Sequence, residues 1–79
     1  MHYTYILVCE TTGRRYIGHT SDLKNRLVEH NVGKCIHTKR NGAWNVKSYF
    51  AFDTLELARN FERYLKTGSG FSFSKRHFE

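Results

Sequence analysis

The chain has 79 residues, with 13 Lys and Arg against 7 Asp and Glu, a formal charge of +6. That makes one small, strongly basic domain over residues 1–79. With 39% hydrophobic and 15% aromatic residues it can bury a core, no run approaches the ~18 apolar residues of a membrane span, and the composition does not suit a disordered chain. The start, Met1-His2-Tyr3-Thr4-Tyr5, lacks the basic and apolar regions of a signal peptide, which predicts a cytoplasmic chain that does not use a membrane.

Residues 3–9 alternate, with Tyr3, Tyr5, Leu7 and Cys9 on one face and Thr4, Ile6 and Val8 on the other. Being β-branched or aromatic on both faces, they predict a strand apolar on each side. Thr11-Thr12-Gly13 reads as a turn and Arg14–Gly18 as the returning strand of a hairpin. Thr20 or Ser21 can cap a helix from about 22 to 31, with Asp22 near its positive end, a Leu23/Leu27 stripe widened by Val28, and Asn31…Gly33 as its stop. Residues 34–44 read as a basic loop. Asn45–Phe52 predicts a third strand, with Val46, Ser48, Phe50 and Phe52 sharing a face.

Asp53 and Glu56 have capping-box spacing ahead of a helix lined by Leu57, Ala58, Phe61 and Leu65. Gly68-Ser69-Gly70 reads as a loop, and Ser72–Phe78 as a short terminal helix. The fold expectation is an α+β domain of order β-β-α-β-α, a mainly antiparallel three-stranded sheet flanked by helices. Its expected core is Ile6, Val8, Leu23, Leu27, Phe50, Leu57, Ala58, Phe61 and Leu65.

The positive field favours a polyanionic partner, nucleic acid before all others, with simple solubility as the alternative. Cys9 and Cys35 form no CxxC pair and the histidines have no zinc-site spacing, so two reduced thiols are the default and one disulfide is compatible. Seven carboxylates, two of them in capping positions, barely supply a two-metal nuclease site. Gly68-Ser69-Gly70 lacks the Gly-Lys-Ser/Thr ending of a phosphate loop, and no Ser-His-Asp or Cys-His arrangement stands in recognisable context.

One constellation remains. Tyr5 and Tyr16 lie on the hairpin, and His19 follows Tyr16-Ile17-Gly18 directly. Arg26 and His30 share a side of the first helix, and Glu62 borders the buried face of the second. An acid at that border is costly to bury without a partner or a metal. Taken singly, each has a plain reading: packed aromatics, a solvated helix face, and an intrahelical pair of Glu62 with Arg59 or Lys66.

Together, the run Tyr3-Thr4-Tyr5-Ile6-Leu7, then Tyr16-Ile17-Gly18, Arg26, His30-Asn31 and Glu62 resembles the GIY-YIG endonuclease superfamily, and within it the small stand-alone bacterial proteins. The resemblance covers nearly the whole chain. The second motif is intact; in the first, the family's Gly-Ile-Tyr stands here as Tyr3-Thr4-Tyr5. The resemblance implies phosphodiester hydrolysis with one divalent ion, Mg²⁺ or Mn²⁺, in DNA before RNA, in repair or recombination. It implies that Tyr16 activates the attacking water, that Tyr5 orients the water or the phosphate, and that Arg26 binds the scissile phosphate. By the same resemblance Glu62 holds the metal, while His19 and His30 support water and proton handling.

Physical chemistry agrees. A phenol of pKa ~10 serves as a base at neutral pH only beside positive charge, and a lone carboxylate suffices for an ion that keeps its waters. Lys34, His37, Lys39, Arg40 and Trp44 form a second candidate surface for nucleic acid, Trp44 fitting a stacking aromatic or a core plug equally. Lys75 and Arg76 are a phosphate-contacting patch or a solvated tail. Two other function classes fit the same residues: a nucleic-acid-binding module without activity, and a protein-interaction domain for an acidic partner.

Overall fold

The structure, a computed structural model, describes residues 1–33 and 43–79. The elements are β1 (His2–Cys9), β2 (Arg15–Thr20), α1 (Leu23–Asn31), β3 (Trp44–Phe52), α2 (Leu55–Leu65) and α3 (Gly68–His77). The three strands form one antiparallel sheet in the order β2-β1-β3, which is the expected α+β arrangement, and the expected terminal helix starts four residues earlier than Ser72, at Gly68. The expectations for Lys34, Cys35, His37, Lys39 and Arg40 lie outside the described residues.

β1 is central because it alone is apolar on both faces. Tyr5, Leu7 and Cys9 pack with Trp44 under Leu23 and Leu27 of α1. On the opposite face Ile6 and Ile17 meet Leu65 of α2, with Phe50 and Phe61 beside them. The sheet is therefore covered on one side by α1 and on the other by α2 and α3. Thr4, fully buried, donates its hydroxyl to the Ala58 carbonyl of α2 at 2.6 Å.

Several expectations need correction. Asp22 itself caps α1, its Oδ1 accepting from the Asn25 N–H at 3.1 Å, while the Thr20 hydroxyl accepts from the Asp22 N–H. Thr54 rather than Asp53 caps α2, accepting from the Leu57 N–H at 3.2 Å. Leu57, expected in the core, is half exposed on the solvent side, and Val28 is likewise exposed. Gly68-Ser69-Gly70 is the first turn of α3, capped by Thr67, whose hydroxyl accepts from the Gly70 N–H at 3.0 Å. A Cβ on Gly70 would lie 1.8 Å from the Tyr64 carbonyl oxygen, so only glycine lets α3 turn this tightly against α2.

In β3 a bulge opposite Ile6 and Leu7 changes the phase of the strand. Val46 thereby packs on the α1 side while Phe50 faces α2, instead of both sharing one face, because an inserted residue flips everything beyond it. Trp44 is 3% exposed and is a core plug, not a stacking surface. The α1-side core of Tyr5, Leu7, Cys9 and Trp44, and Ile17 on the other side, were absent from the expected core; Val8 is only half-buried. Cys9 is buried, with its Sγ 3.4 Å from the Thr11 hydroxyl oxygen.

Candidate active site

The hairpin register sets the first half of the site. Tyr5 pairs with Gly18 and Leu7 with Tyr16, so Tyr5, Tyr16 and Gly18 share the face under α1. Gly18 has a reason beyond turn chemistry. A Cβ there would lie 2.6 Å from the Tyr5 hydroxyl and 3.1 Å from the Tyr16 ring, so the two phenols occupy the space a side chain would need. Their rings lie 6.3 Å apart at a shallow 30°.

α1 brings Arg26 and His30 down onto these rings, one turn apart as the spacing predicts. His30 is 1% exposed, its Nε2 is 3.0 Å from the Tyr5 hydroxyl, and its ring centroid is 4.8 Å from that of Tyr16. Arg26 Nε donates to the Tyr5 hydroxyl at 3.4 Å and its Nη1 to Glu29 at 3.0 Å. The Tyr5 hydroxyl, Glu29 and, more weakly, the Tyr16 hydroxyl favour the charged guanidinium. Burial, reinforced by the Arg26 charge, holds the His30 imidazole below its ordinary 6.5, with Glu29 opposing weakly. A neutral imidazole can accept the Tyr5 proton. About a third of the Arg26 side chain is open to solvent, so the cation can meet an incoming anion.

The second half lies on the other face of the edge strand β2. His19 points there beside Glu62 of α2, and the Glu62 carboxylate takes His19 Nδ1 on one oxygen and Lys66 Nζ, at 2.7 Å, on the other. Partial burial alone would raise this carboxyl, but the hydrogen bonds and charges of Lys66 and His19 outweigh it and hold it below the ordinary value. Both the expected metal-ligand position and the plain i,i+4 pair are thus present in one side chain. Among the described residues no group of three or more His, Cys, Asp or Glu could hold a metal ion. One half-buried carboxylate on an open groove fits an ion such as Mg²⁺, which retains most of its waters, and not a closed protein cage.

The two halves meet over β2. One groove, of about 450 Å³, has Arg14, Tyr16, Lys66 and Phe71 on its walls. A second, of about 290 Å³, has His19, Arg59, Glu62, Arg63 and Lys66. Lys66 borders both. Lys75 and Arg76 sit on exposed α3, where Lys75 lies 5.9 Å from the Phe71 ring and 4.0 Å from the Glu79 carboxylate. Sequence reasoning named Arg59 only as a pair partner of Glu62, a pair the structure gives to Lys66 instead, and it missed Arg63 altogether. It also gave Lys66 and Glu29 no part in the site.

A hairpin carrying two tyrosines, a helix laying Arg and His across them, and a carboxylate helix behind the edge strand make up the candidate site. The GIY-YIG catalytic domain matches residues 1–76, and the chain belongs to the GIY-YIG family. Membership implies a nuclease superfamily that acts on nucleic acids and generally depends on a divalent metal. The chain is 35% identical over 66 residues to the UPF0213 protein BH0048 of Halalkalibacterium halodurans, spanning 82% of this chain and 69% of that protein. The solution NMR structure of the UPF0213 protein BH0048 from Bacillus halodurans matches with a TM-score of 0.58 and 28% identity, over 98% of this chain and 85% of that one.

Proposed function

We propose that the chain, as one domain over residues 1–79, is a divalent-metal-dependent endonuclease that hydrolyses phosphodiester bonds in DNA. The observation that carries this reading is the Tyr5–His30–Arg26–Tyr16 group, in which hydrogen bonds join Tyr5 to His30 and Arg26, and ring packing sets Tyr16 against His30 and Tyr5. In this reading Arg26 binds the scissile phosphate through its partly open guanidinium, and its planar fork suits the charge that grows there. Tyr16, half-buried at the rim, takes the proton of the attacking water, favoured by the adjacent cation. Tyr5 is 1% exposed and acts through Arg26 and Tyr16 as a positioning residue, with neutral His30 accepting its hydroxyl proton from behind. Glu62 would hold the metal, with His19 steadying the carboxylate. When bound, that ion supplies charge stabilisation at the phosphate.

Incubating the protein with single-stranded, duplex and branched DNA, in Mg²⁺ or Mn²⁺ and then in EDTA, tests the activity. Metal-dependent products are expected. Tyr16→Phe removes only a hydroxyl and should cost roughly 10²–10⁴-fold in rate, with binding retained. Glu62→Gln should abolish cleavage and leave binding equal or tighter, because one anion near phosphate is gone. Wild-type cleavage by both variants, each shown to be folded, would refute the assignment.

A further inference from the structure

We propose that the flank of α2 carrying Arg59, Arg63 and Lys66 is a phosphate-binding track that seats the substrate strand next to the Glu62 end of the site. The inference rests on the nuclease reading and names a surface which that reading leaves open. The spacing of four and then three residues puts these cations on one stripe of the helix, spanning about 10 Å of its axis. That length is enough to meet consecutive phosphates of one strand.

The stripe is not a generic solvated face. Arg59, Arg63 and Lys66 converge on one groove whose sole acidic wall is Glu62, and a second groove further along α2 shares Arg59 and Arg63. Lys66 is committed to Glu62, but among the described residues no ion pair engages Arg59 or Arg63. Three full positive charges around one carboxylate repel each other, and an anionic ligand relieves that repulsion. The groove opens beside the one holding Tyr16, with Lys66 between them. The groove further along α2 also holds Glu56, so a strand following α2 to the edge of β2 meets Arg59, Arg63 and Lys66 against two carboxylates, Glu56 and Glu62. On α3, by contrast, Lys75 already leans on Phe71 and approaches Glu79, which makes that helix the weaker place for such a track.

The test is fluorescence anisotropy of the intact protein on labelled single-stranded and duplex DNA in EDTA, over a salt series. Arg59→Gln/Arg63→Gln should weaken binding about tenfold or more at low salt. It should also reduce the slope of log K against log salt by about 1.8 on duplex or about 1.4 on single strands, the loss expected for two phosphate contacts. Arg59→Lys/Arg63→Lys should restore most of that slope. Lys24→Gln/Lys47→Gln removes the same charge outside both α2 grooves and should change affinity by no more than about threefold, since distant exposed charges are screened.

Circular dichroism and thermal melts confirm that the variants fold. Wild-type binding by Arg59→Gln/Arg63→Gln overturns the proposal, as does an equal loss in the Lys24/Lys47 variant. The nuclease reading fails separately. Absence of metal-dependent products, with binding that depends on α2, sinks the activity alone, whereas cleavage with binding indifferent to Arg59 and Arg63 sinks the track alone. A wild-type protein that binds neither DNA at low salt overturns both.

Discussion

Gly18 shows why one atom matters here. The Tyr5 hydroxyl sits where its Cβ would be, and that hydroxyl is held by His30 and Arg26. Gly18→Ala should therefore push Tyr5 off these partners and destabilise the domain by about 1–3 kcal/mol through overpacking. A urea midpoint measures the stability, and cleavage should fall with it. His30 gives a pH signature. Its imidazole is held below 6.5 in the folded chain, so on acidification the unfolded chain takes a proton that the folded one refuses. His30's contribution is then whole above pH 6.5 and lost as pH falls toward the folded value. His30→Gln should lose less stability than wild type between pH 7.5 and 5.5; identical losses would show that His30 does not titrate as described. Tyr5, Tyr16, Arg26 and His30 were legible from the sequence because short strands and one helix turn fix their relative positions. The Gly18 packing was not, since it depends on two side chains arriving from different strands.

α2 was legible as a helix but not in its setting. Asp53 and Thr54 are both good caps, and sequence alone does not say which is used; the packed face decides. With Thr54 as cap, Ala58 and Leu65 are buried while Leu57 is 49% exposed. Leu65→Ala should cost about 2–5 kcal/mol, whereas Leu57→Ala should stay within about 0.5 kcal/mol, both read from chemical denaturation with unchanged m. Equal costs would mean the helix is rotated from this setting. The bulge in β3 was invisible for a related reason: alternation survives on each side of it, and only pairing with β1 shows where the phase jumps.

Contacts that close the fold lie furthest from what a sequence window reveals. Arg15 on β2 donates twice to the Glu79 carboxylate, at 3.0 and 2.7 Å, and once to the Ser74 hydroxyl. Phe71 lies 4.6 Å from the same guanidinium. The Glu79 side chain is 5% exposed, so removing its charge should be felt well beyond an ordinary surface pair. Glu79→Gln is expected to cost about 1.5–3 kcal/mol, the range for hydrogen bonds to charged groups, with little dependence on salt. A melt that shifts only in low salt would mark the pair as a surface one. The pair ties α3 to the strand that bears Tyr16, so loosening it should also blur the groove between Tyr16 and Phe71.

The buried hydroxyl of Thr4 gives the imperfect first motif a meaning. Where the family pattern has an apolar residue, this chain has a threonine that holds the Ala58 carbonyl, and that carbonyl also receives the backbone N–H of Glu62 in the i to i−4 ladder. A letter that looks like decay of the motif is a mooring line from the central strand to the turn bearing the carboxylate. A degenerate motif of this kind therefore does not by itself mark a dead enzyme. Thr4→Ile would bring the motif nearer the family pattern while removing this tie to the Ala58 carbonyl and loosening the placement of Glu62.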